Sequence, residues 1–415
     1  MFLDKVRRFI AEQGLWRFLV FTIQRTVRTL SPGALEAVAR WQIRKWLTRQ
    51  LSERRVYVLW STLDWGYPFW QRPHHLARAL AALGHPVIYV TPGARQDLVM
   101  LARAAQEGIL LTPSADAALA VAPRPALVLL STDTRWQPTH LERVRAAGGV
   151  VVYDYLDALD DTLSVSAITA ERRALHERLL ADESGTVVVS VADILAQEVA
   201  ARRQKHHGVV TNGVDLAPFL GAVRDHTLRS DFAAVVNHKR PIIGYYGSLA
   251  AWVDYGLLLT LAEARPEFEV VLIGPKLDGS SGALAQRPAN LHVLPAIAYS
   301  ELPRYGAWFD VCIVPFVIND ITLATSPLKI FEYMAMAAPI VSTSLPECRK
   351  YASILIGEDP VDFIRKVDLA LDSRDDPALR RLRLDEAKTN DWAIKAIEIE
   401  EMVAALVRRG LGHAT

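Results

Sequence analysis

The chain has 415 residues, of which 51% are hydrophobic and 22% charged, so it is long enough for two globular domains and too apolar for a disordered chain. Its formal net charge of +1 argues against a general nucleic-acid-binding protein. The only two cysteines, Cys312 and Cys348, lack metal-type spacing and allow at most one disulfide, so we expect a reducing, cytoplasmic location.

The chain begins with a basic segment. Residues 1–55 contain twelve Lys/Arg and four Asp/Glu, a balance of about +8. Apolar and aromatic residues mixed with arginine at 15–23, and again at 34–50 with Trp41 and Trp46, are typical of helices in a membrane interface. The alternative is a pair of helices packed on the protein body or on a partner. No signal peptide and no run of 18 apolar residues is found, so we expect peripheral attachment to the inner face of the plasma membrane.

Strand and helix patterns alternate after this segment. Helical patterns are clearest at 167–182 and 192–204. Six apolar segments predict buried strands, at 56–60, 86–90, 126–130, 150–153, 186–190 and 208–211. Such alternation predicts a parallel sheet with helices on both faces.

The second half repeats this alternation after a polar stretch at 221–240, which we interpret as a linker. Strands are predicted at 242–246, 269–273, 291–294, 311–314 and 340–342, and helices at 255–264, 300–308, 327–337 and 360–371. The fold class is therefore α/β, with two doubly wound Rossmann-like domains. We expect the domains to face each other across a cleft, where the carboxyl ends of the strands form the site. The predicted divisions are 1–53 (basic helices), 54–220 (first domain), 221–240 (linker), 241–388 (second domain) and 389–415 (a helix packing back across the junction).

Residues 322–343 are the most informative segment. Ser326 followed by Pro327 predicts an N-cap and the first position of a helix, which would end before Pro339. Lys329 then falls in the first turn, where an anion would offset its unfavourable interaction with the helix dipole. Glu332 follows on the same face and can accept hydrogen bonds from sugar hydroxyls. Phosphate and ribose together indicate a nucleotide.

This segment, Ser-Pro-Leu-Lys-Ile-Phe-Glu-Tyr, resembles the donor-binding helix of GT-B glycosyltransferases, especially glycosyltransferase family 4 and its surface-polysaccharide relatives. The resemblance extends over most of the chain. Its further motifs are 244–248 with Trp252 and Asp254, 272–275, 310–316, 70–73 and 212–215. It implies that Glu332 holds the ribose and Lys329 the diphosphate of a nucleotide sugar. Gly247, Ser248, Lys276 and Ser326 would complete the donor site.

The sequence departs from the family pattern at two places. Many members have a glutamate eight residues before the ribose glutamate, where this chain has Ala324, and the loop 248–251 lacks the usual arginine and lysine. Backbone N–H groups, Lys329 and Lys276 would then hold the diphosphate, and the stereochemistry stays open. No Asp-x-Asp triplet occurs in the chain, so we expect no metal cofactor.

The acceptor side is predicted in the first domain. Asp157 is the first candidate for the general base and Asp154 the second, because both follow an apolar strand. Either could instead be a capping or loop aspartate. Candidate acceptor contacts lie nearby, namely Trp65, Trp70, Arg72 and His74. His74 and the adjacent histidine are alternative bases. The alternative to a functional role for these residues is a packed loop that shields the core.

The resemblance and these residues predict a metal-independent glycosyltransferase that uses a nucleotide-diphosphate sugar, UDP favoured over GDP. Its acceptor would be a lipid-linked or membrane-associated glycan in polysaccharide biosynthesis. Two alternatives remain open: a non-catalytic scaffold of a glycan-assembly complex, and a sugar-nucleotide epimerase of the same fold. The scaffold would not bind nucleotides at Lys329 and Glu332, and the epimerase would act without an acceptor.

Overall fold

The computed structural model describes residues 32–50, 54–93, 96–133, 135–159 and 168–411. The chain divides into two compact units, the first comprising residues up to 191, 195–210 and 396 onward, and the second 192–194 and 211–395. Each unit has its own sheet. None of the helices in the described part of the chain combines the length and hydropathy needed to cross a bilayer.

The first unit is built on an eight-stranded sheet in the order β3-β4-β2-β1-β5-β6-β7-β8. Neighbouring strands are parallel except β3 and β4, which form an antiparallel edge. The strands are β1 Tyr57–Trp60, β2 Val87–Val90, β3 Arg103–Gln106, β4 Ile109–Thr112, β5 Ala126–Leu130, β6 Val150–Tyr155, β7 Thr186–Ser190 and β8 His207–Val209. The helices up to residue 200 are α1 Pro32–Leu47, α2 Arg72–Ala82, α3 Ala115–Val121, α4 Pro138–Ala146, α5 Ala170–Ala181 and α6 Asp193–Ala200.

The inner strands are apolar because helices cover both faces of a parallel sheet. Every residue of β1, β2, β5, β6 and β7 is buried. Gly149 precedes β6, and a Cβ there would lie 2.3 Å from the carbonyl oxygen of Pro125. The carboxyl ends of β1, β5 and β6 are neighbours at one edge of the sheet, so the segments that follow these strands lie together.

The second unit has a six-stranded, fully parallel sheet in the order β11-β10-β9-β12-β13-β14. Its strands are β9 Ile242–Tyr246, β10 Glu269–Ile273, β11 Leu291–Leu294, β12 Val311–Val314, β13 Ile340–Thr343 and β14 Ile354–Gly357. The remaining helices are α7 Leu216–Leu220, α8 Ser230–Asn237, α9 Tyr255–Ala264, α10 Leu302–Gly306, α11 Asp320–Leu323, α12 Lys329–Ala335, α13 Pro346–Arg349, α14 Pro360–Asp372, α15 Pro377–Lys388 and α16 Trp392–Leu411. The predicted α/β class with two parallel sheets is confirmed.

Helix α1 lies within the predicted basic segment, and one of its faces packs on the first unit. Ala39 and Ile43 are buried, and the helix contacts α3 and β4. Its opposite face carries Trp41, which is 59% exposed, with the Lys45 Nζ 5.0 Å from the centre of the indole ring. The helix therefore packs on the protein body and still presents an aromatic and basic surface. The apolar stretch at 15–23 lies outside the described residues.

The predicted linker at 221–240 is not a simple connection. It belongs to the second unit and contains α8, whose Phe232 is fully buried. The polar residues of this stretch hid the short helix from a prediction based on composition. The predicted C-terminal helix is present as α16, which from residue 396 belongs to the first unit, where Glu400 accepts a hydrogen bond from the Tyr57 hydroxyl.

Candidate functional site

The turn after β9 brings the backbone of Gly247 against the side chain of Lys329. Gly247 has φ of 143°, and a Cβ at this position would lie 3.0 Å from both the Lys329 Cε and the Tyr245 hydroxyl. A Cβ on Gly274, after β10, would lie only 1.8 Å from the Gly247 carbonyl oxygen. Glycine is required at both positions because the strand ends and the lysine approach so closely.

Lys329 and Glu332 are ionisable side chains one turn apart on α12, and Lys329 is half-buried whereas Glu332 is buried. The Lys329 Nζ lies 4.7 Å from the ring centre of Phe316 and 5.1 Å from that of Tyr245. Burial lowers the pKa of Lys329 to about 8, and the neighbouring Glu332 opposes this shift. Burial raises the pKa of Glu332, which is 2% exposed, to about 8, against the effect of Tyr246 and Lys329. We call Lys329, Glu332, Gly247, Tyr245 and Phe316 the Lys329 cluster.

The start of α12 differs from the prediction. The helix begins at Lys329 and has seven residues, and Leu328 occupies the N-cap without a side-chain hydrogen bond. Ser326 is buried and does not cap the helix. Its hydroxyl accepts a 3.4 Å hydrogen bond from the Asn212 N–H, and its carbonyl accepts one of 2.7 Å from the Asn212 side-chain amide. The Asn212 motif thus fixes the entry to the helix.

Ser248 and Lys276 lie in two loops that pair with each other beyond β9 and β10. The Leu249 N–H donates to the Pro275 carbonyl at 2.8 Å, and the Leu277 N–H donates to the Leu249 carbonyl at 3.0 Å. Lys276 is exposed and Ser248 half-buried, so both are accessible to a ligand. The structure thus brings together the loops that carry three predicted residues of this unit, Gly247, Ser248 and Lys276. A fourth predicted residue, Lys329, lies on α12, and its side chain lies against Gly247.

Two other residues of this unit have structural partners. The Asp254 carboxylate caps α9 by accepting a 2.8 Å hydrogen bond from the Leu257 N–H. Glu347 is buried, accepts a hydrogen bond from the Asp193 N–H at 2.9 Å and pairs with Lys350 at 2.7 Å. The two aromatic rings of the Lys329 cluster lie in the motifs 244–248 and 310–316, but they were not predicted as site residues. Phe316 follows β12 after a proline, and the adjacency of β12 and β9 places it beside Tyr245.

In the first unit, Arg72 and Asp154 form a buried ion pair. The Arg72 Nε lies 2.8 Å and 3.1 Å from the two Asp154 carboxylate oxygens, and the side chains are 3% and 1% exposed. Burial raises the pKa of Asp154, while the guanidinium opposes this shift. This contact joins the start of α2 to β6. It gives Arg72 and Asp154 a structural role, in place of the predicted roles in acceptor binding and proton abstraction.

Asp157 lies just beyond β6 and differs from Asp154 in its environment. Asp157 is half-buried, and burial alone raises the pKa of its carboxyl to about 7. Ser131 steadies this segment, because its hydroxyl accepts from the Leu156 N–H at 3.1 Å and donates to the Asp157 carbonyl at 3.4 Å. A carboxyl with a pKa near neutrality is suited to general base catalysis.

The aromatic loop before α2 is packed against the first unit. His74 is fully buried: its Nδ1 accepts from the Gln71 N–H at 3.2 Å, so its Nε2 donates to the Asp64 carbonyl at 3.0 Å. Trp70 stacks on His74, and Trp65 packs against Trp70. His74 is therefore a structural residue, in agreement with the alternative of a packed loop that shields the core. Trp65 and Trp70 are half-buried and keep part of their surfaces available.

Carboxylates that sequence reasoning missed hold this loop in place. Asp97 accepts hydrogen bonds from the Trp65 and Gly66 N–H groups at 2.6 and 2.7 Å. Asp64 accepts from the Gly93 N–H at 2.9 Å. Both aspartates follow strands whose carboxyl ends are adjacent. This adjacency is the signal that relates them, and it becomes apparent only once the strand order is known.

Part of the second unit matches a known protein family. Residues 240–373 match the family model for glycosyl transferases group 1. The Lys329 cluster lies entirely within this range. The chain carries a glycosyltransferase group 1 domain.

Two further comparisons extend over more of the chain. It is 26% identical over 216 residues to a Bacillus subtilis (strain 168) protein named as a glycosyltransferase of teichuronic acid biosynthesis, TuaH, a match that covers 48% of this chain and 52% of the relative. The chain thus spans about half the length of this curated relative. Among solved structures, Anabaena HepE in complex with UDP has a TM-score of 0.61 at 13% identity, covering 85% of this chain and 100% of that chain. The E. coli trehalose-6-phosphate structure bound with UDP-2-fluoro glucose has a TM-score of 0.62 at 12% identity, covering 85% and 99%. The predicted GT-B fold is confirmed.

Proposed function

We propose that this glycosyltransferase group 1 protein moves a sugar from a nucleotide-diphosphate donor to a glycan acceptor. The observation that carries the proposal is the Lys329 cluster, in which a half-buried lysine and a buried glutamate lie beside a glycine turn inside the matched domain. Withdrawing polar groups from water is costly without hydrogen-bond partners, and a bound diphosphate and ribose would supply partners to both side chains.

In the proposed reaction, the protonated Lys329 and nearby backbone N–H groups offset the charge that develops on the diphosphate leaving group. Glu332 accepts hydrogen bonds from the ribose hydroxyls. Asp157 takes the proton of the acceptor hydroxyl, and its pKa of about 7 suits that task. An essential Asp157 would favour inversion at the sugar, whereas activity without this carboxylate would favour retention.

UDP is the favoured nucleotide. HepE and the E. coli trehalose-6-phosphate structure are named with UDP or a UDP sugar, although the starch synthase IV structure from Arabidopsis thaliana is named with ADP. We propose a reaction without a metal cofactor, because the sequence lacks an Asp-x-Asp triplet and Lys329 provides a positive charge.

A lipid-linked or membrane-associated glycan is the proposed acceptor. TuaH is named for teichuronic acid biosynthesis, and α1 presents Trp41 and Lys45 on its exposed face. Together they support polysaccharide assembly at the inner face of the plasma membrane. Trp65 and Trp70 stay the candidate acceptor contacts, since each keeps some exposed surface on which a sugar could stack.

Calorimetric titration with UDP and GDP in a chelator tests the donor site. We expect the wild type to bind UDP more tightly than GDP, and Lys329→Ala and Glu332→Ala to lose binding. Lys388→Ala removes a lysine that pairs with Asp385 on the surface and should bind like the wild type. Circular dichroism of each variant establishes that it is folded.

A non-catalytic scaffold is the second candidate, favoured by the buried Ala324 at a position where many relatives carry a glutamate. A folded wild type that binds neither nucleotide would overturn the proposed function and support the scaffold.

A further inference from the structure

Three side chains with metal-ligating atoms meet at the amino end of the second sheet. Glu269 is the first residue of β10, His292 lies on β11, and His238 follows α8. The His238 Nδ1 lies 2.8 Å from one Glu269 carboxylate oxygen, and the His292 Nε2 lies 2.6 Å from the other. The three groups offer ligand atoms that lie within 4.8 Å of one another.

The exposed fractions of the three side chains differ, as expected for an ion site that opens to solvent on one side. The Glu269 side chain is 1% exposed, whereas those of His238 and His292 are 50% and 20% exposed. The carboxylate is therefore fixed in the protein, and the imidazoles close over it from the solvent side. A surface cavity of about 540 Å³, lined by His238, Glu269 and Asn290, leads to the carboxylate and leaves room for water.

We propose that His238, Glu269 and His292 bind a Zn²⁺ ion. Two imidazoles and one carboxylate are a ligand set that zinc prefers, and water from the cavity would complete a tetrahedral site. The nitrogen atoms that face the carboxylate are the atoms that would coordinate the ion. Binding requires both imidazoles in the neutral form and small movements that replace the direct contacts by metal–ligand bonds.

One neighbouring charge opposes the ion. The Arg240 Nη1 lies 3.4 Å from a Glu269 carboxylate oxygen and 3.3 Å from the Pro266 carbonyl. A guanidinium so close to the carboxylate lowers its affinity for a cation. In a cluster without a metal role the same arginine would simply be one more ion-pair partner, so its replacement separates the two interpretations.

The site is distinct from the Lys329 cluster. The zinc ligands lie at the amino ends of the strands, while Gly247 follows the carboxyl end of β9, roughly 16 Å away at 3.3 Å per residue. A bound zinc would tie α8, β10 and β11 together and would contact neither nucleotide nor acceptor. It would therefore take no part in sugar transfer, and its presence agrees with a transfer reaction that uses no metal.

Titration of the chelator-treated full chain with ZnCl₂, followed by calorimetry, tests the proposal. We expect one Zn²⁺ per chain, at least about tenfold weaker binding in His292→Ala and His238→Ala, and tighter binding in Arg240→Gln. His226→Ala removes an exposed histidine elsewhere in the second unit and should leave the affinity unchanged. Co²⁺ should give the intense visible bands of a tetrahedral site in the wild type and lose them in His292→Ala.

Absence of saturable zinc binding in the wild type would overturn the proposal, as would equal affinity in the wild type and both histidine variants. Thermal unfolding adds an independent readout, because an ion that binds only the folded chain must raise Tm. We expect zinc to raise the Tm of the wild type and of His226→Ala, and to leave that of His292→Ala unchanged. UDP binding is measured in a separate titration. A chain that binds UDP but not zinc would contradict the zinc site alone, and a chain that binds zinc but not UDP would contradict the donor site alone.

Discussion

Burial lowers the pKa of Lys329 to about 8, so the proposed donor binding should be sensitive to alkali. With a pKa of about 8, the ammonium form falls about tenfold between pH 7 and pH 9. Because the diphosphate needs that charge, we expect the Kd for UDP to rise by about the same factor over this range. Calorimetry at several pH values measures it. Lys329→Gln should bind weakly already at pH 7, and a wild-type Kd that stays constant would contradict the proposed contact.

Asp157 should show the opposite dependence on pH. Its carboxyl must be ionised to act as a base, so kcat/KM is expected to fall as the pH drops through about 7. Asp157→Asn should lower sugar transfer by about 10²–10⁴-fold while UDP binding is retained. Transfer assays between pH 5.5 and 8.5 measure both effects.

Stability provides the control for Asp157. Its folded pKa is raised above that of the unfolded chain, so ionisation opposes folding, and the destabilising effect is fully present above pH 7. Asp157→Asn should therefore unfold at the same or a higher temperature than the wild type at pH 8. Unchanged transfer by the folded variant would remove Asp157 from the mechanism.

At the scale of elements, the turn after β9 is expected to tolerate no side chain. Gly247→Ala would combine an unfavourable φ with contacts of 3.0 Å to Lys329 and Tyr245, at about 1–3 kcal/mol from the backbone strain alone. We expect a lower free energy of unfolding and weaker UDP binding. Gly279→Ala is the matched control, because Gly279 also has a positive φ of 80° but a Cβ added there would have no atom within 4 Å. Equal effects of the two substitutions on UDP binding would show that the close approach to Lys329 is unimportant.

The ion pair that joins α2 to β6 should be measurable in stability. Arg72→Ala leaves Asp154 as an uncompensated buried charge, so we expect a loss of about 3–5 kcal/mol in the free energy of unfolding. The double variant Arg72→Met/Asp154→Leu should recover much of this loss. Denaturant titration measures these values. An Arg72→Ala variant of wild-type stability with a raised KM for the acceptor would instead restore the predicted acceptor contact.

The apolar strands were predictable because burial on both faces of a parallel sheet demands continuous hydrophobic runs. Strands β5, β7, β9, β10, β11 and β12 have the predicted bounds. The exposed edge strand β3 was missed, since it is antiparallel, irregularly paired and carries no apolar run. The short strand β4 lies directly after it and was missed with it, as was β14.

The candidate site was predictable to a different degree in each unit. Lys329, Glu332 and Gly247 were identified because local motifs carry them. The burial of Arg72 and His74 was not, because it depends on Asp154 and Asp64, which are distant in sequence. The cluster of His238, Glu269 and His292 was not predicted either, because its members are distant in sequence. They come from three segments that only the sheet order brings together.

For the molecule as a whole, the small net charge conceals a marked asymmetry. The +1 total includes about +8 from residues 1–55, so the remainder of the chain is acidic. Helix α1 belongs to this basic segment and keeps Trp41, Arg44 and Lys45 exposed while its other face is packed. We propose an anionic lipid surface as the partner of this helix face, because aromatic residues among basic side chains are typical of a membrane interface.

Sedimentation with phosphatidylglycerol vesicles tests this attachment. Each basic side chain near an anionic surface contributes about 1 kcal/mol, so Arg44→Gln/Lys45→Gln should weaken binding by roughly 30-fold. Trp41→Ala should weaken it further by removing the aromatic anchor. Arg380→Gln/Arg381→Gln neutralises two exposed arginines on α15 and should bind like the wild type. Salt should reduce wild-type binding because it screens exposed charges. If the α1 variants bind as tightly as the wild type, this helix face is not the contact, and the proposed membrane-bound acceptor loses its structural support.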